Sequence, residues 1–189
     1  MPIPFRDADD LDKLGAAGYL KIEALPSGAG YMGVLFLINA RGEPLEFTYN
    51  RIETPNTFLW RQQDIRRHAT KKLVASLLSI CPKVPRLLLC LADEVDSELF
   101  CQDIRVSIPV CRIAPGTQAV AYSLSEETRD DADTPEPTHL FWFPTRPGDD
   151  SVEQQLLKYL TARGLLAEPF ERAVIGLREV YRTEGKGKK

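Results

Sequence analysis

The sequence is poor in the residues that most often mark a metal or redox centre. It holds two histidines, His68 and His139, in unrelated contexts, which excludes a histidine-rich metal site. Its four cysteines, Cys81, Cys90, Cys101 and Cys111, lie about ten residues apart with no C-x-x-C pair, so neither a zinc framework nor a disulfide scaffold is indicated. The contexts SIC, LLLCL and IPVC read instead as buried free thiols. No apolar run approaches the ~20 residues needed to cross a bilayer, which excludes a membrane span. The start, MPIPFRDADDLDKLG, lacks the basic and apolar stretches of a secretory signal, and its acids argue against a transit peptide, so the expected location is cytoplasmic. Cations are not in excess either: 24 Lys and Arg face 27 Asp and Glu, a net charge of -3 that by itself predicts no nucleic-acid affinity.

What is present is the composition of an ordinary globular protein, 43% apolar and 27% charged, at a length that suits one domain. We read residues 1–184 as a single α/β domain and 185–189, GKGKK, as a basic tail. The charge is unevenly placed. Residues 61–72, RQQDIRRHATKK, carry five cations and one anion, whereas 126–136, EETRDDADTPE, carry six anions and one cation. The second block, within 126–137, reads as an acidic loop.

Periodicity gives the elements. After a short helical start at Asp9–Ala16, residues 18–25, 31–39 and 45–53 read as three strands joined by short connections, hence an antiparallel meander. From 60 to 80 the period becomes helical, with Ile65, Ala69, Leu73, Ser76 and Ile80 on one face, and Pro82 and Pro85 end it. RLLLCLA (86–92) has the continuous apolar character of a strand buried on both faces. DEVDSELF reads as a short helix, 103–113 and 119–125 as strands with Pro109 marking an edge or bulge, and 138–144 as a last strand. Two helices close the chain: VEQQLLKYLTAR, capped by Asp149, Asp150 or Ser151 and stopped at Gly164, and PFERAVIGLREVYR, opened by Pro169. The sum is a mixed sheet of about five to seven strands with helices packed on it.

One stretch carries a cofactor-like pattern. SGAGYMG (27–33) contains Gly28, Gly30 and Gly33 in G-x-G-x-x-G spacing. A dinucleotide fingerprint needs those glycines between a strand and a helix start, but here Gly33 runs into VLFLIN, a strand. A kinase glycine loop joins two strands, but no V-A-I-K, H-R-D or D-F-G follows. The glycines are therefore read as a hairpin connection. G-x-S-x-G and P-loop patterns are also missing.

The order of elements, and the text of SGAGYMGVLFLINARGEPLEFTYNRIETPNT, RQQDIRRHATKKLVASLL and RLLLCLADEVDS, resemble the ribonuclease H-like superfamily over about residues 18–97. The resemblance implies acids on the first strand, the first helix and the end of the fourth strand, converging on two Mg2+ ions ~4 Å apart for phosphodiester cleavage. Position by position, the candidate catalytic and metal-ligating residues are Glu23, Asp64 and Asp93. Two depart from the family pattern: Glu23 stands where Asp is usual and is followed by Ala24 and Leu25, and Asp64 stands where Glu is usual and is followed by Ile65, Arg66 and Arg67. Each also has a structural reading, Glu23 as a solvated strand carboxylate and Asp64 as a helix partner of Arg61, Arg67 or His68.

The cations Arg61, Arg66, Arg67, Lys71 and Lys72 crowd the first half of a helix, where the macrodipole favours anions at a few tenths of a kcal/mol per charge. Their counter-charge is a phosphate backbone, an acidic partner surface or the chain's own acidic loop at 126–136. The functional expectation is a nucleic-acid-processing protein of ribonuclease H-like type, either a Mg2+-dependent nuclease or a degenerate non-catalytic accessory subunit. The alternative is a non-enzymatic protein–protein interaction module of a larger complex, which needs no metal.

Overall fold

The computed structural model describes residues 11–25, 28–54, 58–117 and 127–186, the last four as backbone alone. The alternating N-terminal text forms the expected meander of β1 (Ala16–Ala24), β2 (Gly30–Asn39) and β3 (Pro44–Glu53). β1 pairs antiparallel with β2 from Ala16↔Asn39 to Ala24↔Tyr31, and β2 pairs antiparallel with β3. Of SGAGYMG, Gly28 and Ala29 lie in the first hairpin link and Gly30 opens β2; Gly28 takes φ +69°, a conformation L side chains rarely adopt. Gly33 lies inside β2, where a Cβ would come 3.0 Å from Leu73 Cδ2, so its bare backbone lets a helix pack close to the sheet. In the second link, Asn39 Oδ1 accepts from the N–H groups of Arg41 and Glu43, both at 3.0 Å.

The helical period produces α1 (Gln62–Ile80), with Ala69, Leu73, Val74 and Leu77 buried and Ile80 exposed. β4 (Leu87–Leu91) runs parallel to β1, with Ala17 opposite Leu87 and Leu20 opposite Cys90. β5 (Val110–Pro115) continues the parallel pairing, and β6 (Thr128–Asp131) and β7 (Thr138–Phe143) add antiparallel strands. The seven-stranded order is β3-β2-β1-β4-β5-β7-β6. The expected element order of the ribonuclease H-like fold is therefore present, with an antiparallel meander opening a mixed sheet.

The chain ends with α2 (Val152–Ala162) and α3 (Glu168–Lys186). Ser151 caps α2, its side chain accepting from Gln154 N–H at 3.2 Å. The α3 helix runs into the expected basic tail as far as Lys186; residues 187–189 lie outside the description. On one face of the sheet Leu20, Ile22, Leu35 and Leu37 pack with Leu73 and Leu77 of α1. On the other, Tyr19, Val34, Phe36 and Trp142 pack with Leu156, Leu160, Phe170 and Leu177 of α2 and α3. All four cysteines are free; Cys90 is buried, and burial pushes its thiol up to about 12.

Two expectations need correction. The strand expected at 103–113 starts only at Val110, because Leu99–Asp103 forms a π-helical turn that buries Leu99 and Phe100. Pro109, with no N–H to give, stands just before the strand and accepts from Leu88 N–H at 3.0 Å. The acidic loop contains a strand, since Thr128–Asp131 pairs with β7; its charged side chains suit a sheet edge that discourages further pairing. The strand expected at 119–125 lies outside the described residues, and of the N-terminal helix only a turn at 11–13 is described.

Candidate nucleic-acid interface and the cleft at the strand ends

The carboxyl ends of parallel strands are where α/β folds place ligands; β1 and β4 run side by side, and β1 continues to Ala24 past the end of β4 at Leu91. After Leu91 the chain turns, with the N–H groups of Glu94 and Val95 donating to Leu91 O at 3.1 and 3.0 Å. That turn swings Glu94 back beside β1. Its Oε2 accepts from Ile22 N–H at 3.0 Å and its Oε1 pairs with Lys21 Nζ, so the carboxylate continues the ladder where β4 has stopped. Both side chains of the pair are only 14% exposed. Burial raises the Glu94 pKa, opposed by Lys21 and the Ile22 N–H.

The turn is clamped from below by β5. Arg112 donates through Nε to Val95 O at 2.8 Å and through Nη2 to Ala92 O at 3.3 Å, while Nη1 reaches both Glu127 oxygens at 2.8 and 2.9 Å. The side chains of this pair are 3% and 0% exposed. Desolvating two charges costs several kcal/mol per ion, so the gain lies in geometry: one planar guanidinium holds two carbonyls of the turn and a carboxylate together.

Beside Glu94 lies a cleft of about 480 Å3 between the first half of α1 and residues 94–103, with Tyr31 of β2 in its wall. Three of its four acids, Glu94, Glu98 and Asp103, are already in ion pairs. Arg67 pairs with Glu98 at 2.5 Å and with Asp103 at 2.9 Å, and Lys71 reaches Asp103 at 3.4 Å. The Arg67 hydrogen bond holds the Asp103 carboxyl below its usual range. Arg66 crosses the cleft to donate to Asp93 O at 2.9 Å.

The three sequence-chosen acids occupy separate surroundings. Glu23 shares the Tyr19 face of β1 and meets α3, where Arg178 Nη2 donates to it at 3.3 Å. Asp64 is held in a two-pronged pair by Arg61 at 2.8 and 3.1 Å. Asp93 is tied through its backbone to Arg66. None of the three lines the cleft, and among the described residues no three His, Cys, Asp or Glu side chains form a group that could hold a metal ion. On the α1 side, the end of β1 presents Ile22 and Ala24, whose side chains carry no ligand atoms. The residues therefore do not fit a Mg2+ pair. Lys21, and the clamp of Arg112 with Glu127, escaped the sequence reading: period two placed Lys21 on the face of Glu23, and nothing local joins residue 112 to residue 127.

A second surface begins just before α1. Phe58, Leu59 and Trp60 are 96%, 84% and 52% exposed. Trp60 packs edge-on against His68, with ring centroids 5.8 Å apart. Together with Ile52, Ile65 and Lys72 these two rings line a mostly apolar pocket of about 260 Å3. The run FLW was the available signal for this surface, a cluster of large apolar residues with no place in the helical core face.

Strand order, the parallel β1–β4 centre and the flanking helices define a ribonuclease H-like fold. Within that class the chain is similar in structure to endonuclease V from Streptomyces avermitilis, with TM-score 0.58 and 12% identity over 97% of this chain and 96% of that one. It is likewise similar to endonuclease V from Bacillus subtilis, with TM-score 0.58 and 11% identity over 93% of this chain and 84% of that one. At such identities the likeness is one of fold. No family model matches the chain, and no curated protein matches it in sequence. No described helix is long and apolar enough to cross a membrane.

Proposed function

We propose that the chain is a nucleic-acid-processing protein of ribonuclease H-like type whose contact surface is the start of α1. The carrying observation is the exposed run Phe58-Leu59-Trp60 set against a cationic helix. Aromatic faces accept unpaired bases, each stack contributing about 1–3 kcal/mol, while neighbouring cations follow the phosphates. Arg66 and Lys72 are in no ion pair among the described residues; Lys72 lines the pocket beside Trp60, and Arg66 lines the cleft at the strand ends. The endonuclease V structures that share the fold support the same ligand class.

The test is anisotropy of a short labelled single-stranded oligonucleotide, as DNA and as RNA. Two phosphate contacts predict that log affinity falls with log salt at a slope of about -1.4. Trp60→Ala should weaken binding by about tenfold or more, and Lys72→Glu should flatten the salt dependence. Salt-independent or undetectable binding at low ionic strength would reject the reading. The non-enzymatic interaction module then takes precedence, supported by Arg61, Arg67 and Lys71 already having acid partners within the chain.

A further inference from the structure

Most of the acids around the strand-end cleft are paired with cations of the same chain. Of the four that line it, Glu94 is held by Lys21, Glu98 by Arg67, and Asp103 by Arg67 and Lys71; Asp96 alone has no ion pair among the described residues. With Arg66 added, four cations stand against four carboxylates. A site that binds divalent ions works the other way: it keeps surplus carboxylates unpaired, each presenting oxygen to Mg2+ at about 2.0–2.1 Å in near-octahedral array. Here the oxygens of Glu94 are taken by an ammonium and a backbone N–H. The neighbouring positions on the cleft side of β1 are Ile22 and Ala24.

Arg66 differs from the other cleft cations. It lines both the main cleft and the adjoining one beside Ile22, Ala24 and Glu94, and its one hydrogen bond among the described residues, to Asp93 O, uses a single Nη2 donor of a five-donor fork. The remaining donors suit a phosphate oxygen.

We propose that Lys21, Arg67 and Lys71 stand in for divalent cations, making this cleft a metal-independent seat in which Arg66 grips a phosphodiester without cleaving it. The ligand rests on the nucleic-acid reading above; the metal independence rests on the ion pairs alone. In this arrangement Lys21 fixes Glu94 at the sheet edge, and no water is activated because no Lewis acid can be held beside it.

Two measurements on the full chain separate the parts. In a Mn2+ titration followed by electron paramagnetic resonance, the free-ion signal should be undiminished through millimolar concentration; loss of one or two equivalents of signal at sub-millimolar Mn2+ would overturn the proposal. Oligonucleotide affinity should agree within about twofold between EDTA and Mg2+ at matched ionic strength, and Arg66→Ala should lower it about tenfold under both conditions. A tenfold loss in EDTA, strand cleavage in Mg2+ that Lys21→Met abolishes, or unchanged affinity in Arg66→Ala would each refute it. If no oligonucleotide binds in either buffer, the functional reading and the Arg66 grip fail together, while the Mn2+ result still decides metal independence.

Discussion

Replacing Arg112 by Met tests whether the turn after β4 is held by one buried guanidinium. Met keeps the unbranched stem and the volume but removes every donor, leaving Glu127 buried without its bidentate partner and the carbonyls of Ala92 and Val95 without theirs. Breaking one side of a buried ion pair costs about 3–5 kcal/mol. In a chain of this size each kcal/mol moves the midpoint by about 2–4 °C, so the Tm should drop by ~6–20 °C. The double variant Arg112→Met with Glu127→Leu removes the stranded carboxylate and should recover most of the loss, leaving ~1–3 kcal/mol for the carbonyls. Urea unfolding of wild type, both single variants and the double variant supplies the cycle. A loss under about 1 kcal/mol in Arg112→Met, or a double variant no better than the single, would refute the clamp.

Other substitutions probe separate links. Asp103→Asn should cost about 1 kcal/mol at neutral pH, discounted for the half-exposed Arg67 partner, and should flatten the acid limb of the stability curve. The sign follows from the depressed folded-state pKa: the wild-type contribution is full above the ordinary Asp value near 3.8 and is lost as pH falls through the lower folded value, which unfolding curves between about pH 2 and 5 would show. Gly30→Ala would drive a Cβ to 2.1 Å from Ile52 O, a backbone atom that cannot swing aside, so it should cost ~3 kcal/mol or more and disturb β2–β3 pairing; Gly148→Ala meets open space and should stay within about 0.5 kcal/mol. Tyr19→Phe removes the hydrogen bond from the phenol to Leu165 O at 2.5 Å and should cost about 1–2 kcal/mol by calorimetry, with oligonucleotide affinity unchanged.

Much of the fold was legible because it depends on local period and punctuation. Alternation found β1 to β3 to within two residues, the helical period and flanking prolines found α1, and the unbroken apolar run found β4. The errors arose where local pattern loses to tertiary pairing. Thr128–Asp131 has the composition of a loop and is a strand only because β7 offers it a ladder. Residues 103–109 alternate like a strand, yet the preceding Leu99 and Phe100 must be buried, which a π-helical turn accomplishes.

The site was harder to read because carboxylates advertise themselves whether or not they are free. Glu23, Asp64 and Asp93 had plausible places in the element order, but role depends on facing and partner, and both are decided far along the chain: Arg178 reaches Glu23 from α3, and Lys21 of β1 takes Glu94 from the turn after β4. One residue of difference along the chain decides the site, since Asp93 turns its backbone to Arg66 while Glu94 enters the ladder. The same logic applies to the basic helix. A cluster of cations in sequence suggests a ligand, yet Arg61 pairs along the helix and Arg67 and Lys71 spend their charge on acids brought by the fold, so that of the five only Arg66 and Lys72 are in no ion pair among the described residues. The affinity of this surface therefore depends on two cations and a stacked ring rather than on the five charges the sequence displays, and its salt dependence should be correspondingly shallow.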